Sequence, residues 1–177
     1  AGEKEITLFP TEITKDSLLA DIDKCITAMD GPLDTVRRMA MLANYRTMHE
    51  KGYKVALIGE GSDEFNLGYY HTFPGLEVDV EALATPEAFK ETLGARADFV
   101  RRYFSPEMLN AFDFAEIIEH TVDSDYLPCK SDDPLIRMQY FYAKRFLTFL
   151  EDSNDRVAMA NSVEARLPFV GRAVIET

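Results

Sequence analysis

The run Lys54-Val55-Ala56-Leu57-Ile58-Gly59-Glu60-Gly61-Ser62-Asp63-Glu64 constrains this chain more than any other stretch. Four apolar residues, two of them β-branched, end abruptly at a glycine. A short run of that kind reads as a strand buried on both faces. The glycines at 59 and 61 let the backbone come close to a ligand and turn N–H groups toward it. Glu60, Asp63 and Glu64 crowd the carboxyl end of the strand, where open α/β sheets bind their ligands. From spacing alone, an acidic turn in solvent is an equally good reading.

The segments before this strand have helical periodicity. Thr14 caps a helix whose Leu18, Leu19, Ile22, Ile26 and Met29 recur at spacings of three and four, and Asp30-Gly31-Pro32 stops it. A second helix is expected over about 34–51, with Val36, Met39, Ala40, Ala43 and Met48 as its buried stripe and Gly52 as its C′ residue. Residues 6–9, just before Pro10, read as another strand. Strand, two helices and strand in that order favour parallel pairing through a right-handed crossover. Further on, Thr85-Pro86 starts a short helix that Gly94 ends, and residues 95–103 add a turn or two. Ser105-Pro106 starts another helix, residues 115–122 continue helically, and residues 123–130 read as a polar loop. Asp133-Pro134 opens the longest helix, with Ile136, Tyr140, Ala143, Leu147 and Leu150 on its apolar face. That helix reaches Asp155 and Arg156, which are read as structural.

The expected fold class is therefore α/β and mostly helical, in one domain, with an α/β part over 1–75 and a helical part over 76–177. A sheet of two strands is rarely stable alone and leaves an edge to be covered or paired. Self-association into a homo-oligomer is the expected consequence.

Hydrophobic residues make up 46% of the 177, with 12 Phe, which is ample for a core. A net charge of −12 argues against a nucleic-acid surface or an anionic membrane as partner. A nucleotide is still admissible, because backbone N–H groups and magnesium can hold its phosphates. Cys25 and Cys129 stand outside any C-x-x-C or His spacing, so reduced cytoplasmic thiols are expected rather than zinc. His49, His71 and His120 show no metal spacing. No apolar run nears the roughly 20 residues of a membrane span, and no signal peptide is visible.

Two segments carry a family resemblance. Gly59-Glu60-Gly61-Ser62-Asp63-Glu64, with Gly68-Tyr69 behind it, resembles the GEGSDE–FGGY segment of the asparagine synthetase family. Asp155-Arg156 through Met159-Ala160, Ser162-Val163-Glu164-Ala165-Arg166 and Pro168-Phe169 is similar to that family's DR-SMA-SVEAR-PF segment. Two long motifs in the right order are far more specific than one glycine-rich loop. The resemblance implies a partial doubly wound parallel sheet of the adenine-nucleotide alpha-hydrolase type with a helical lobe. It also implies amide formation in two steps. ATP with magnesium adenylates a carboxylate, and ammonia or an amine then displaces AMP.

Site roles follow from the same resemblance. Glu60 is the catalytic group near the nitrogen nucleophile. Gly59, Gly61 and Ser62 turn backbone N–H groups toward the adenylate. Asp63 is the magnesium ligand, with capping of the next helix by Asp63 or Ser62 as the structural reading. Glu164 and Arg166 serve the substrate, Arg166 because a guanidinium grips carboxylate or phosphate in two places. An ion pair of Arg166 with Glu164, Asp155 or Glu60 is an equally good reading. The two-residue spacing is taken to send Glu164 and Arg166 to opposite sides of an extended stretch.

Departures from the family pattern are equally plain. There is no SGG-x-DS pyrophosphate loop, no amino-terminal Cys of a glutaminase domain, and no later catalytic Lys. Ile58 replaces a Ser, Leu67 a Gly and Gly171 an Asp. The chain is expected to be an interior or carboxy-terminal fragment of a synthetase with weak affinity for Mg-ATP by itself. The alternative is a non-catalytic module that keeps the scaffold.

Overall fold

The computed structural model describes residues 6–33, 35–68 and 85–176. His71, Tyr69 of the first motif and the expected division near residue 75 lie outside them. The described chain folds as two compact units, Ala1–Gly59 with Phe149–Val174, and Glu60–Thr148 with Ile175–Thr177.

In the first unit, α1 spans Lys15–Met29. Thr14 Oγ1 accepts the Ser17 N–H at 3.1 Å, and Ser17 Oγ accepts the Thr14 N–H at 2.9 Å. This reciprocal box satisfies two amides that a helix start would otherwise leave bare. Asp30, in the left-handed region, ends the helix as expected. The inward face is Leu18, Ile22, Cys25 and Met29, whereas Leu19 and Ile26 stand in solvent. α2 spans Arg37–Glu50 and closes on Gly52 at φ 84°, with the Tyr53 N–H bonded back to Met48 O. Its buried residues include Met39, Leu42, Ala43 and Tyr45. Val36 lies before the helix and is exposed.

β1 is Val55–Leu57, and its partner is not the segment 6–9. Ile6 and Leu8 are 89% and 82% exposed and join no ladder. A strand needs a partner for its backbone groups, and this segment instead rests on α2. Phe9 lies 5.9 Å from the Tyr53 ring, and Thr11 Oγ1 donates to Thr47 Oγ1 at 3.1 Å. The partner of β1 is β2, Glu164–Arg166, running parallel in the register Val55↔Glu164, Ala56↔Ala165, Leu57↔Arg166. β1 is buried on one face only. Ala56 is inside, and Val55 and Leu57 are exposed, which corrects the two-faced burial expected from its composition.

Cys25, Leu42, Val157, Ala158 and Val163 form the fully buried centre of this unit. Buried amides tie it together. Asn161 Nδ2 donates to Leu42 O at 3.2 Å and Val157 O at 3.1 Å, and its Oδ1 accepts from Lys24 Nζ. Tyr45 OH donates to Asn154 Oδ1 at 2.9 Å. α8, Thr148–Met159, stops at the Asn161-Ser162 turn, where Ser162 takes φ 55° and the Val163 N–H reaches Ala158 O. That turn does the work usually given to a C′ glycine and releases the chain into β2.

In the second unit, α3 is Ser62–Asn66 and α4 is Pro86–Arg101. α4 runs straight through Gly94, so the two short helices expected there are one. Glycine costs roughly 1 kcal/mol inside a helix, which packing of Phe89 and Leu93 outweighs. α5, Pro106–Ala111, starts at the Ser105 cap, and α6, Phe114–Thr121, at the Asp113 cap. Val122–Tyr126 is a π-helical turn with Val122, Asp125 and Tyr126 buried, where a polar loop was expected. α7, Pro134–Phe141, begins at Asp133 and runs into a second π-helical stretch, Tyr142–Leu147. π turns hold extra residues per turn, so the apolar face drifts. Ile136 is exposed, while Phe141 and Tyr142 are buried.

The second core is accordingly aromatic. Phe89 stacks on Tyr126 at 4.5 Å and meets Phe141 edge-on at 4.8 Å. Burial pushes the Tyr126 phenol above its ordinary range, against the pull of Arg137. No described helix is long and apolar enough to cross a membrane.

Candidate functional site

From β1 the chain passes through Ile58 and Gly59 into the acidic turn. The Ile58 side chain packs into the first unit's core, and its N–H donates to Arg166 O at 2.9 Å. Gly59 is exposed and Glu60 half-buried. Gly61 is buried at φ 97°, a conformation that side-chain-bearing residues resist.

The Gly61 N–H donates to Glu64 Oε2 at 2.9 Å. Glu64, only 1% exposed, thus reaches back over the first turn of α3 in the manner of a capping-box glutamate. The backbone cap of α3 is Gly61, and the carboxylate that serves it is Glu64, where Asp63 or Ser62 had been the candidates. With its N–H committed to Glu64, Gly61 contributes shape to the turn, and the backbone-donor reading rests on Gly59 and Ser62.

Asp63 is exposed, and its carboxylate lies against Gly68. A Cβ at residue 68 would stand 2.1 Å from Asp63 Oδ1. A side chain at residue 68 would make the exposed Asp63 carboxylate move aside. Leu67 adopts φ 56° and still packs its side chain onto the aromatic core. α3 is gripped from α7 as well, since Gln139 Nε2 donates to Phe65 O at 2.5 Å.

The second motif sits on β2. Glu164 and Arg166 do not face apart. Residues two apart on a strand share a face, and Arg166 Nε donates to Glu164 Oε1 at 2.9 Å. This hydrogen bond, with the carboxylate's charge, raises the guanidinium pKa above its ordinary value. Both side chains are more than half exposed. Arg156 pairs with Asp152, one turn back on α8. The β1–β2 pairing sets Leu57 opposite Arg166. Two motifs about 90 residues apart in the chain therefore leave one parallel sheet at the same carboxyl end, Gly59 from one strand and Leu167-Pro168 from the other.

Among the described residues no group of three His, Cys, Asp or Glu converges as a metal cage. Asp63 offers one exposed carboxylate. That suits a magnesium ion that keeps its waters and takes one protein carboxylate plus substrate phosphates. Cys25 and Cys129 are buried thiols. A cleft of about 500 Å³ opens beside Phe9, Thr47, Lys51 and Tyr53, and no motif residue lines it.

Sequence reasoning grouped Glu64 with the turn carboxylates without giving it a role, and passed over Gln139. For Glu64 a signal existed, because it stands three residues after the Gly61 cap. For Gln139 no local signal exists, since its partner lies 74 residues away.

Comparison with known proteins bears on the family expectation. The amidase chry2 of Gibberella zeae is 22% identical over an alignment of 211 residues, which covers 93% of this chain and 31% of that protein. The chain thus spans about a third of the length of this relative. No solved structure matches it. The family model described as asparagine synthase matches residues 6–177, and the chain belongs to that family.

Proposed function

We propose that this chain is part of an ATP-dependent synthetase that joins a small-molecule carboxylate to ammonia or an amine. The observation that carries the reading is the parallel pairing of β1 with β2, which brings the exits of both motifs to the carboxyl end of one sheet. Ligands of open α/β sheets bind outside the carboxyl ends of the strands. The fungal relative carries the name amidase, which points to amide-bond chemistry as well.

ATP, when bound, would supply the adenylyl group that activates the substrate carboxylate, pyrophosphate leaving in that step and AMP in the next. Gly59 and Ser62 offer backbone N–H groups, Asp63 would hold a magnesium ion carried in with the phosphates, and Arg166 would orient a carboxylate or phosphate. Glu60 accepts a proton. The nitrogen lone pair forms the C–N bond, the C–O bond to AMP breaks, and one N–H proton passes to the Glu60 carboxylate.

The two steps separate by mutation. Glu60→Gln keeps size and hydrogen-bonding shape but removes the charge, so amide formation falls by about 10²-fold or more. Asp63→Asn lowers pyrophosphate release instead. Both products are followed separately in the full-length protein. Amide formation by Glu60→Gln at the wild-type rate removes Glu60 as the base.

The second reading is a non-catalytic module on the same scaffold. One observation favours it: Ile58 turns its side chain into the core and offers no hydroxyl beside the turn. Tight binding of Mg-ATP by the full-length protein, with neither pyrophosphate nor amide produced, would decide for that reading.

A further inference from the structure

We infer that Glu64 is a positioning residue for Glu60, clamping the peptide unit that aims it; this deepens the proposed reaction and rests on it. The hydrogen bond from the Gly61 N–H to Glu64 Oε2 is more than a helix cap. That N–H belongs to the same planar peptide unit as the Glu60 carbonyl. A planar peptide turns only as a whole. Holding its N–H therefore fixes the plane from which the Glu60 Cα departs, and with it the sector its side chain can sweep.

Three features make the clamp firm. Gly61 is buried and sits at φ 97°, a conformation that glycine adopts freely, so the plane is set by what holds its N–H and not by a side chain of its own. Glu64 is 1% exposed, and a carboxylate bonded to a backbone N–H makes a charge-assisted, short-range contact. The helix that carries Glu64 is itself fixed. Gln139 holds the Phe65 carbonyl, and Leu67 packs on the aromatic core. Glu60 is half-buried, and the residue that sets its direction is almost wholly enclosed. Glu64 is too enclosed to meet a substrate, so its contribution to the reaction runs through the turn.

The test compares three substitutions in the full-length protein. Glu64→Gln keeps an oxygen that accepts the Gly61 N–H, and its kcat for amide formation stays within about threefold of wild type. Glu64→Ala removes the acceptor, and Glu64→Asp, shorter by one methylene, cannot reach it. Both lose about 10²-fold in kcat, the scale of a small misplacement of a reacting group. KM for ATP moves by less than about threefold, because uniform binding is untouched. If Glu64→Ala does not fold, Glu64→Asp carries the comparison.

Hydrogen exchange at the Gly61 amide gives a readout independent of activity, slow in wild type and Glu64→Gln, fast in Glu64→Asp. A folded Glu64→Asp with wild-type kcat overturns the inference. So does a Glu64→Gln as damaged as Glu64→Asp, which would assign the charge itself to the chemistry. Wild-type protein silent in both pyrophosphate and amide assays defeats the proposed reaction alone. The clamp is then judged by exchange, and a Gly61 amide equally protected in all variants refutes it.

Discussion

The two units solve the same problem of specifying a core by different means. The strand-bearing unit has a small, aliphatic centre of Cys25, Leu42, Val157, Ala158 and Val163, with Asn161, Asn154 and Tyr45 buried among them and hydrogen-bonded. The helical unit has a large aromatic centre of Phe89, Tyr126, Phe141 and Tyr142, with the buried carboxylates Glu64 and Asp125 outside that cluster. Buried amides specify because each must find its partner or go unsatisfied, and only one register provides all of them. Aromatic rings specify by shape and area, which tolerates the π-helical turns at Val122–Tyr126 and Tyr142–Leu147. The two motifs fall on different sides of the division. The Glu164–Arg166 strand comes from the hydrogen-bonded core, and the acidic turn from Glu60 onward belongs to the unit with the aromatic core.

Mutations can break this contrast. Phe89→Ala is expected to have the largest effect, about 3–5 kcal/mol lost from the helical unit. Hydrogen exchange should rise along α4 and α7 while Leu42 and Val157 stay protected. Equal loss of protection in both units would show one cooperative core instead of two. Asn161→Ala comes next, at about 2–3 kcal/mol, since two buried carbonyls lose their donor. Its protection loss should centre on α2, α8 and β2. A change within about 0.5 kcal/mol in denaturant unfolding would deny the buried amides their role.

Leu67→Ala has the smallest effect and tests the seam between turn and core. It removes apolar contact at a cost of about 1 kcal/mol but leaves the left-handed backbone. Leu67→Gly recovers part of that loss, because φ 56° costs an L-residue about 1 kcal/mol. A Gly variant less stable than the Ala variant would mean the turn conformation is not strained.

Helix starts were legible because a cap and its amides are neighbours in the chain. Thr14, Ser105 and Asp133 each serve an N–H two or three residues on. Gly52 and Asp30 end their helices for the same local reason. The motif residues were legible as a set, yet their arrangement was not. Which neighbour pairs with Arg166, and which carboxylate caps α3, depend on side-chain reach rather than on spacing.

What the sequence by itself determined is therefore local: the existence of the helices, the β1 run, and the two motifs that mark the family. Only tertiary structure decided the rest. Residues 6–9 have strand composition, but a ladder needs a partner, and β1 pairs with β2. Gly94 looks like a stop, but contacts of Phe89 and Leu93 with distant residues carry α4 through it. The buried rows of α1 and α7 were chosen by what packs against them. Glu64 gained its place because Gly61, whose N–H it holds, is buried with it, and Gln139 holds the following helix from 74 residues away. Short-range hydrogen bonds can be read from a string of residues. Burial cannot, because it is a property of all the segments that happen to enclose a residue.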